Sequence, residues 1–600
     1  MRIIRTVCVL MITINGFLAS GESRGESLTL DIPVASIPED TTEIVATVTR
    51  SGVASETLTV SVGSSDQTAI YVPGSIRIPS GSSSAELILR IVNDGDIDGT
   101  QSATITVTAD SLDGDSGSLD VLDDDTLDWY TLGGHLSGII AENTYVVLSD
   151  ITVDVERILT LEPGSELRFE PKVALITNGS LITEGESGKE ILFTSNAVLP
   201  TPGDWKGIRH IGSKEQNSRL NHVTISFSET GLMIYGPDPR IVLSHSNIGH
   251  NSRYGIEIRG GQSSRVKVLN NRIHDNEIYG ILVTAYASGF DCDEGVHVSS
   301  LIESNEIYHN GGGVRLSASS SSSRTCFCWV QLFCSLPSAT VGGDVRQNHI
   351  HDNGLGITVY TSRVSIDTWF GIKPGLPARV NTLISNNIVV DNLGNGISLT
   401  TGGDLGGDLS TDIVNNTIVS NDGAGIWHSE DVTSRFTAKN NILCRNERGI
   451  VAESDFDPNQ DSGYVVSYNN VADNNNGDWV NYPDTYGNLA TTNVHGTPAD
   501  VAMNISVDPY FASLGYWDEN GTPGDFNDDS WIDGDYHLMS QVGRWDPITE
   551  TWVSDDVISP CVDAGNPTSA WRNELLPNGK RINMGAYGGT PEASMSLLGE

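Results

Sequence analysis

The sequence predicts an all-β protein: a β-sandwich followed by a right-handed parallel β-helix solenoid with a C-terminal cap. Three observations carry that reading. Residues 27–125 alternate apolar and polar side chains at a period of two. The middle of the chain repeats, roughly every 25 residues, the motif Asn-x-Ile-x-x-Asn followed by Gly-Ile. The repeats lack any 3.6-residue periodicity and are rich in Asn, Gly, Ser, Thr, Val and Ile, which excludes a helical solenoid.

The first 21 residues read as a signal peptide (1–21): the basic Met1-Arg2-Ile3-Ile4-Arg5, an apolar run over 6–18, then Ala19-Ser20-Gly21. This implies a secreted, extracellular or cell-surface protein with no transmembrane segment in the mature chain. A chain of 600 residues needs several domains. With 34 Lys and Arg against 77 Asp and Glu, its net charge of −43 disfavours nucleic acid and anionic lipid and favours divalent cations. Beyond Cys8 stand Cys292, Cys326, Cys328, Cys334, Cys444 and Cys561. Outside the cell they permit disulfides in any of about 15 pairings, with a thiolate metal site at the Cys326 to Cys334 cluster as the rival reading.

In the sandwich (27–125) the alternating runs include Glu43-Ile44-Val45-Ala46-Thr47-Val48-Thr49 and Ser102-Ala103-Thr104-Ile105-Thr106-Val107. Its acidic residues gather at strand ends, at Glu39-Asp40, Asp66, Asp94 to Asp98 and Asp123-Asp124-Asp125. Loops that converge at one end of a sandwich can together supply the six to eight oxygens that calcium prefers. Asp is also favoured in ordinary solvated turns. The segment resembles the Calx-beta family through "VTRSG" at 48–52, "IPSGSSSAEL" at 78–87, "NDGDIDGTQ" at 93–101 and "DDD" at 123–125. That resemblance implies a calcium site formed by Glu39, Asp66, Asp94, Asp98, Asp123 and Asp124.

The β-helix is expected over 127–495. Its motif recurs at Asn271/Ile273/Asn276, Asn305/Ile307/Asn310, Asn348/Ile350/Asn353, Asn387/Val389/Asn392, Asn416/Ile418/Asn421 and Asn441/Leu443/Asn446. Aliphatic residues in one phase should stack into an interior column. The second Asn should sit at a left-handed turn and form a side-chain ladder from coil to coil. The Gly should serve a tight corner. The opening "YVVLSDITVDVERILTLEPGSELRF" (145–169), "ILFTSN" (191–196) and "PGDWKGIRH" (202–210) extend the match. Together these segments resemble the pectin-lyase-like superfamily of right-handed parallel β-helices. That fold hosts lyases, hydrolases, epimerases, adhesins and inert stalks, so the resemblance leaves the chemistry open.

Spacing locates a candidate site. From each Gly to the next motif Asn, starting at Gly255, the gaps run 16, 25, 35, 31, 20 and 16 residues. Insertions thus pile up on one wall and peak mid-helix. Their sequence carries Trp329, Trp369, Asp291, Asp293 and Arg363 as glycan-binding candidates. Arg324, Asp367, Lys373 and Arg379 are candidates for catalysis. Self-packing loops, with Trp329 buried and Cys326–Cys334 as a staple, are the other reading. His250, Asp275, His309, Asp352 and Asp391 precede the ladder by one residue, and His274, Tyr308 and His351 by two. They could act as acids, bases or metal ligands, or form a solvated corner.

The C-terminal part (496–600) carries "DPYF", "GDYHL", "SPCVDAGNP" and "NGKRINMGAYGG", which resemble the closing segment of secreted β-helix proteins and suit a solenoid cap. Within it Asp525, Asn527, Asp529 and Asp533 stand at positions 1, 3, 5 and 9 of an EF-hand-like loop, a second candidate calcium site; position 12 is Tyr536. The composite expectation is a calcium-binding surface protein that engages extracellular polysaccharide or cell-surface glycan. The alternatives are a polysaccharide lyase or hydrolase acting on acidic glycans, and a purely structural protein.

Overall fold

The computed structural model describes residues 27–52, 56–93, 100–110, 112–122, 131–212, 217–260, 265–288, 295–321, 338–363, 366–368, 371–373, 378–403, 406–429, 435–454, 463–518 and 530–597. All regular structure among them is β, in two compact units, Met1–Thr126 and Leu127–Glu600. No described helix is long and apolar enough to cross a membrane.

The first unit is a β-sandwich of a four-stranded and a five-stranded sheet. The alternation in sequence becomes alternation in burial. Ala46, Val48, Leu87, Leu89, Ile105 and Val107 are fully buried, while Val45 and Ile88 between them stay exposed. The inward faces form one apolar core.

The second unit is a parallel β-helix. A full coil contributes three strands, for example Arg265–Leu269, Arg272–His274 and Tyr279–Ser288. The first joins a 12-stranded sheet, called here the base wall. The other two stack as a short wall and a long wall within a 24-stranded parallel sheet. Ile248, Ile273, Ile307, Ile350, Val389, Ile418 and Leu443 occupy one phase of the short wall, each 0% exposed. They line the interior with the long-wall column Ile256, Ile281, Val314, Ile357 and Ile397. Each such side chain contributes roughly 1.5–3 kcal/mol by leaving water.

Two buried Asn ladders run up the corners on either side of the short wall. In the one expected from sequence, the Nδ2 of Asn276 donates to Oδ1 of Asn310 at 2.8 Å, Asn310 to Asn353 at 3.0 Å and Asn353 to Asn392 at 3.1 Å. Asn392 and Asn421 continue it to Asn446. The first Asn of the motif makes a second ladder, from Asn271 through Asn305, Asn348, Asn387, Asn416, Asn441 and Asn469 to Asn504. Both give each buried amide before the last an acceptor on the next coil.

Two local expectations are corrected. The left-handed dihedral falls not on the ladder Asn but one residue earlier, at His250, Asp275, His309, Asp352 and Asp391, with φ between 50° and 57°. Asp and His tolerate that region better than most residues, which accounts for their recurrence there. The motif glycines do not have positive φ. They are needed because coils stack so closely: a Cβ on Gly356 would lie 2.2 Å from the carbonyl oxygen of Gly396.

The C-terminal segment closes the helix in two ways. Tyr464, Trp479, Tyr482 and Tyr486 pack against the interior column. Residues 508–518 and 530–597 then lie along the outside of the short wall. There the outward residues turn apolar, and Val390, Val419, Ile442 and Cys444 share a separate core with Phe511, Tyr536, Leu538, Cys561 and Met584. Asn386 Nδ2 donates to the carbonyls of Ala586 and Gly588, and Asn415 Nδ2 to those of Asn583 and Gly585. Cys444 and Cys561 are free thiols in that core, and burial raises both, Cys444 to about 12.

Candidate functional site

The insertions widen the helix. Long-wall strands that end at Arg259 and His428 in flanking coils extend in the middle to Ser288, Ser321 and Arg363. The facing base-wall strands lengthen to match, as Val296–Glu303, Ala339–Arg346 and Ala378–Ser385. The two extensions form a fin. Its interior is lined by Ala285, Ala318, Ala339 and Ala378, all 0% exposed and continuous with the main core. Small side chains let the two sheets close on each other without a void.

Asp291, Asp293, Arg324, Trp329 and Trp369 lie outside the described residues. Asp367 and Lys373 fall on a small antiparallel hairpin, Ile366–Thr368 with Gly371–Lys373. Arg363 ends its long-wall strand, level with Ser320 of the preceding coil. Arg379 is on the base wall, where its Nε donates to Asp408 Oδ2 at 2.7 Å.

The outward face of the long wall holds residues that the motif search passed over. Arg315 lies between two tyrosines, its guanidinium carbon 5.7 Å from the Tyr279 ring and 5.0 Å from that of Tyr360. Its Nη1 also donates to the Tyr279 hydroxyl at 3.2 Å. Tyr286, further out on the fin, is 55% exposed, and Trp427 faces outward two coils beyond Tyr360. The available signal was alternation: these residues occupy the outward positions between Ile281, Val283, Leu316 and Val359.

At the corner between short and long walls, a polar strip crosses several coils. Asp275 meets His274 Nδ1 at 2.7 Å, His309 Nδ1 at 3.8 Å and His250 Nε2 at 4.0 Å. His274 stacks on Tyr308, and Tyr308 on His351, with ring centroids 5.0 and 5.2 Å apart. Burial lowers the His351 imidazole, but the carboxylates of Asp352 at 2.6 Å and Glu306 at 3.8 Å outweigh it and hold it near 9. Its neighbour His349 is driven down to about 3, by burial first and by His351 second. Asp533, from the outer C-terminal layer, faces His349 at 3.3 Å, and burial raises its carboxyl. The other members of that candidate calcium loop, Asp525, Asn527 and Asp529, lie outside the described residues.

In the sandwich, Asp94, Asp98, Asp123 and Asp124 also lie outside the described residues. Glu39 and Asp66 are described. Glu39 follows the strand Ser36–Pro38, which pairs in parallel with Asp120 to Leu122; its backbone N–H donates to Leu122 O at 2.9 Å. Glu39 is buried, 3% exposed. Asp66 uses Oδ1 to accept from Thr68 N at 2.9 Å and Thr68 Oγ1 at 2.6 Å. Its loop adjoins the strand that leads to residue 94, since Val92 N donates to Ala69 O.

No protein-family model matches the chain. Over 65 residues it is 37% identical to Protein bark beetle of Drosophila melanogaster, a stretch that makes up 10% of this chain and 2% of that protein. Among solved structures, the apo form of the Calx CBD1 domain aligns at 15% identity with a TM-score of 0.15, covering 17% of this chain and all of that one. A mutant of the periplasmic alginate epimerase AlgG aligns at 15% identity with a TM-score of 0.31, over 60% of this chain and 78% of that one.

Proposed function

We propose that this is an extracellular protein that binds polysaccharide along its long wall beside the fin, with a calcium-binding sandwich at its N-terminus. The observation that carries the reading is Arg315 held between Tyr279 and Tyr360, with Tyr286 exposed nearby. Sugar rings stack their apolar faces on tyrosine, and a guanidinium takes hydroxyls or a uronic carboxylate in paired hydrogen bonds. On a flat parallel wall such groups recur at the coil spacing of about 4.8 Å, which suits an extended chain of sugars. Trp329 and Trp369, which the sequence offers as glycan-binding candidates, would add further stacking groups for the same ligand.

Calcium would be held by Glu39 with Asp66, Asp94, Asp98, Asp123 and Asp124. It would neutralise the carboxylates of these strand-end loops. Excess calcium should then stabilise the sandwich by about 2.7 kcal/mol at a hundredfold excess over Kd, read as a higher melting transition in the full chain. Equal transitions in calcium and in chelator would remove the calcium part of the proposal.

A glycan array, followed by titration of the best ligand, tests the wall. Arg315→Ala and Tyr360→Ala should each weaken binding about tenfold, equivalent to roughly 1.4 kcal/mol. Unchanged affinity in both variants would refute the assignment. An ultraviolet assay for unsaturated products on acidic polysaccharides separates binding from β-elimination; growing absorbance would make the protein a lyase.

A further inference from the structure

We propose that His250, His274, Asp275 and His309 form a transition-metal site, best suited to zinc, that joins three successive coils at the corner between the short and long walls. Left-handed backbone explains why His, Asp and His stand at 250, 275 and 309. It does not explain His274, which lies on the strand Arg272–His274, nor the convergence of His250, His274 and Asp275 on one point.

One ligand atom each from His250, His274 and Asp275 lies within 4.8 Å of the others. Around Asp275 the separations are 2.7 Å to His274 Nδ1, 3.8 Å to His309 Nδ1 and 4.0 Å to His250 Nε2. Donors around tetrahedral zinc stand about 3.3 Å apart, so His250, His274 and Asp275 need only small side-chain rotations to hold an ion, and His309, outside that group, a larger one. The ligand types, imidazole with one carboxylate, suit zinc rather than calcium or magnesium.

The surroundings orient the ligands. His274 Nε2 lies 2.6 Å from the amide oxygen of Asn247, to which its N–H donates. Nδ1 touches Asp275 Oδ2 directly at 2.7 Å, and an entering ion would replace that contact by taking the Nδ1 lone pair and a carboxylate oxygen while Nε2–H keeps its bond to Asn247. The His274 ring is stacked on Tyr308, and the His250 ring on Phe227 at 5.4 Å. Side-chain exposures of 47% for His250 and 54% for His309 leave the point open to an incoming ion.

The test is titration of the metal-stripped full chain with zinc by calorimetry, and with cobalt(II) by visible absorption. The expected result is a single micromolar or tighter zinc site and the intense visible bands of tetrahedral cobalt. Asp275→Asn and His250→Gln should each weaken zinc binding at least tenfold. Both should keep the metal-free melting transition of the parent, which separates ligand loss from misfolding. No tight zinc binding by the parent, or binding unaffected in both variants, would overturn the site.

Discussion

Asn474 ends its ladder by donating Nδ2 to Oδ1 of Asp478 at 2.8 Å. The other ladder ends alike, with Asn504 Nδ2 3.0 Å from Oδ2 of Asp500. Within a ladder each amide both accepts and donates, so the last one needs a partner that only accepts. A carboxylate meets that need, and a serine meets the opposite need at the start of the first ladder, where Ser228 Oγ donates to Asn251 Oδ1 at 2.6 Å.

Removing a terminal acceptor should therefore cost as much as removing a rung. Asp478→Ala leaves the Asn474 amide partly unpaired and should destabilise the helix by about 1–3 kcal/mol. Asp478→Asn, which still offers an oxygen, should cost less. Denaturant midpoints of the two variants check this, and equal midpoints would contradict the capping role.

The glycine column makes a sharper prediction. A Cβ on Gly356 meets backbone at 2.2 Å, whereas one on Gly342 in the fin finds nothing nearer than 3.5 Å. Gly356→Ala should destabilise by at least about 1–3 kcal/mol, because the coils would have to separate. Gly342→Ala should be near neutral. Thermal melts distinguish them; two equal costs would show that close stacking is not what excludes a side chain at 356.

Two buried groups tilt stability with pH in opposite directions. Glu574 accepts from Asn583 N and Gly589 N, and burial raises its pKa from 4.5 to about 7. Its protonated form is favoured by folding, so that stability is complete below pH 4.5 and lost as pH rises through 7. The loss is at most about 3 kcal/mol. Burial lowers His428, paired with the Tyr482 hydroxyl at 2.8 Å, from 6.5 to about 4. Its contribution is complete above pH 6.5 and lost as pH falls through 4. Glu574→Gln should flatten the decline above pH 4.5, and His428→Gln the decline below 6.5. Melting temperatures across pH 4–8 that keep the parent's slopes would refute both assignments.

The outer C-terminal layer should come away separately from the coils. Val419 is 0% exposed beneath it and shares its core with Met584. Val419→Asp places an unpaired charge there, which folding avoids by releasing the layer. Limited proteolysis should then cut near Lys580 and Arg581 while the coils resist. Equal protection in parent and variant would show that this core does not hold the layer.

The sequence by itself determined the all-β class, the register of the coils and the corner ladder from Asn276 to Asn446. Those contacts join residues in the same phase of a repeat, so periodicity alone reveals them. It also marked where the helix widens, because insertion lengths add directly to strand lengths. Tertiary structure decided the rest. The close approach of Gly356 to Gly396 becomes visible only once the coils stack. The meeting of His250, His274, Asp275 and His309 depends on how corner and strand side chains point across three coils. The outer layer docks through pairs such as Asn386 with Ala586, 200 residues apart, where no period links partner to partner. Repetition encodes contacts between neighbouring coils. Contacts that occur once in the chain leave no pattern to read and are selected by shape and chemistry after the repeat has folded.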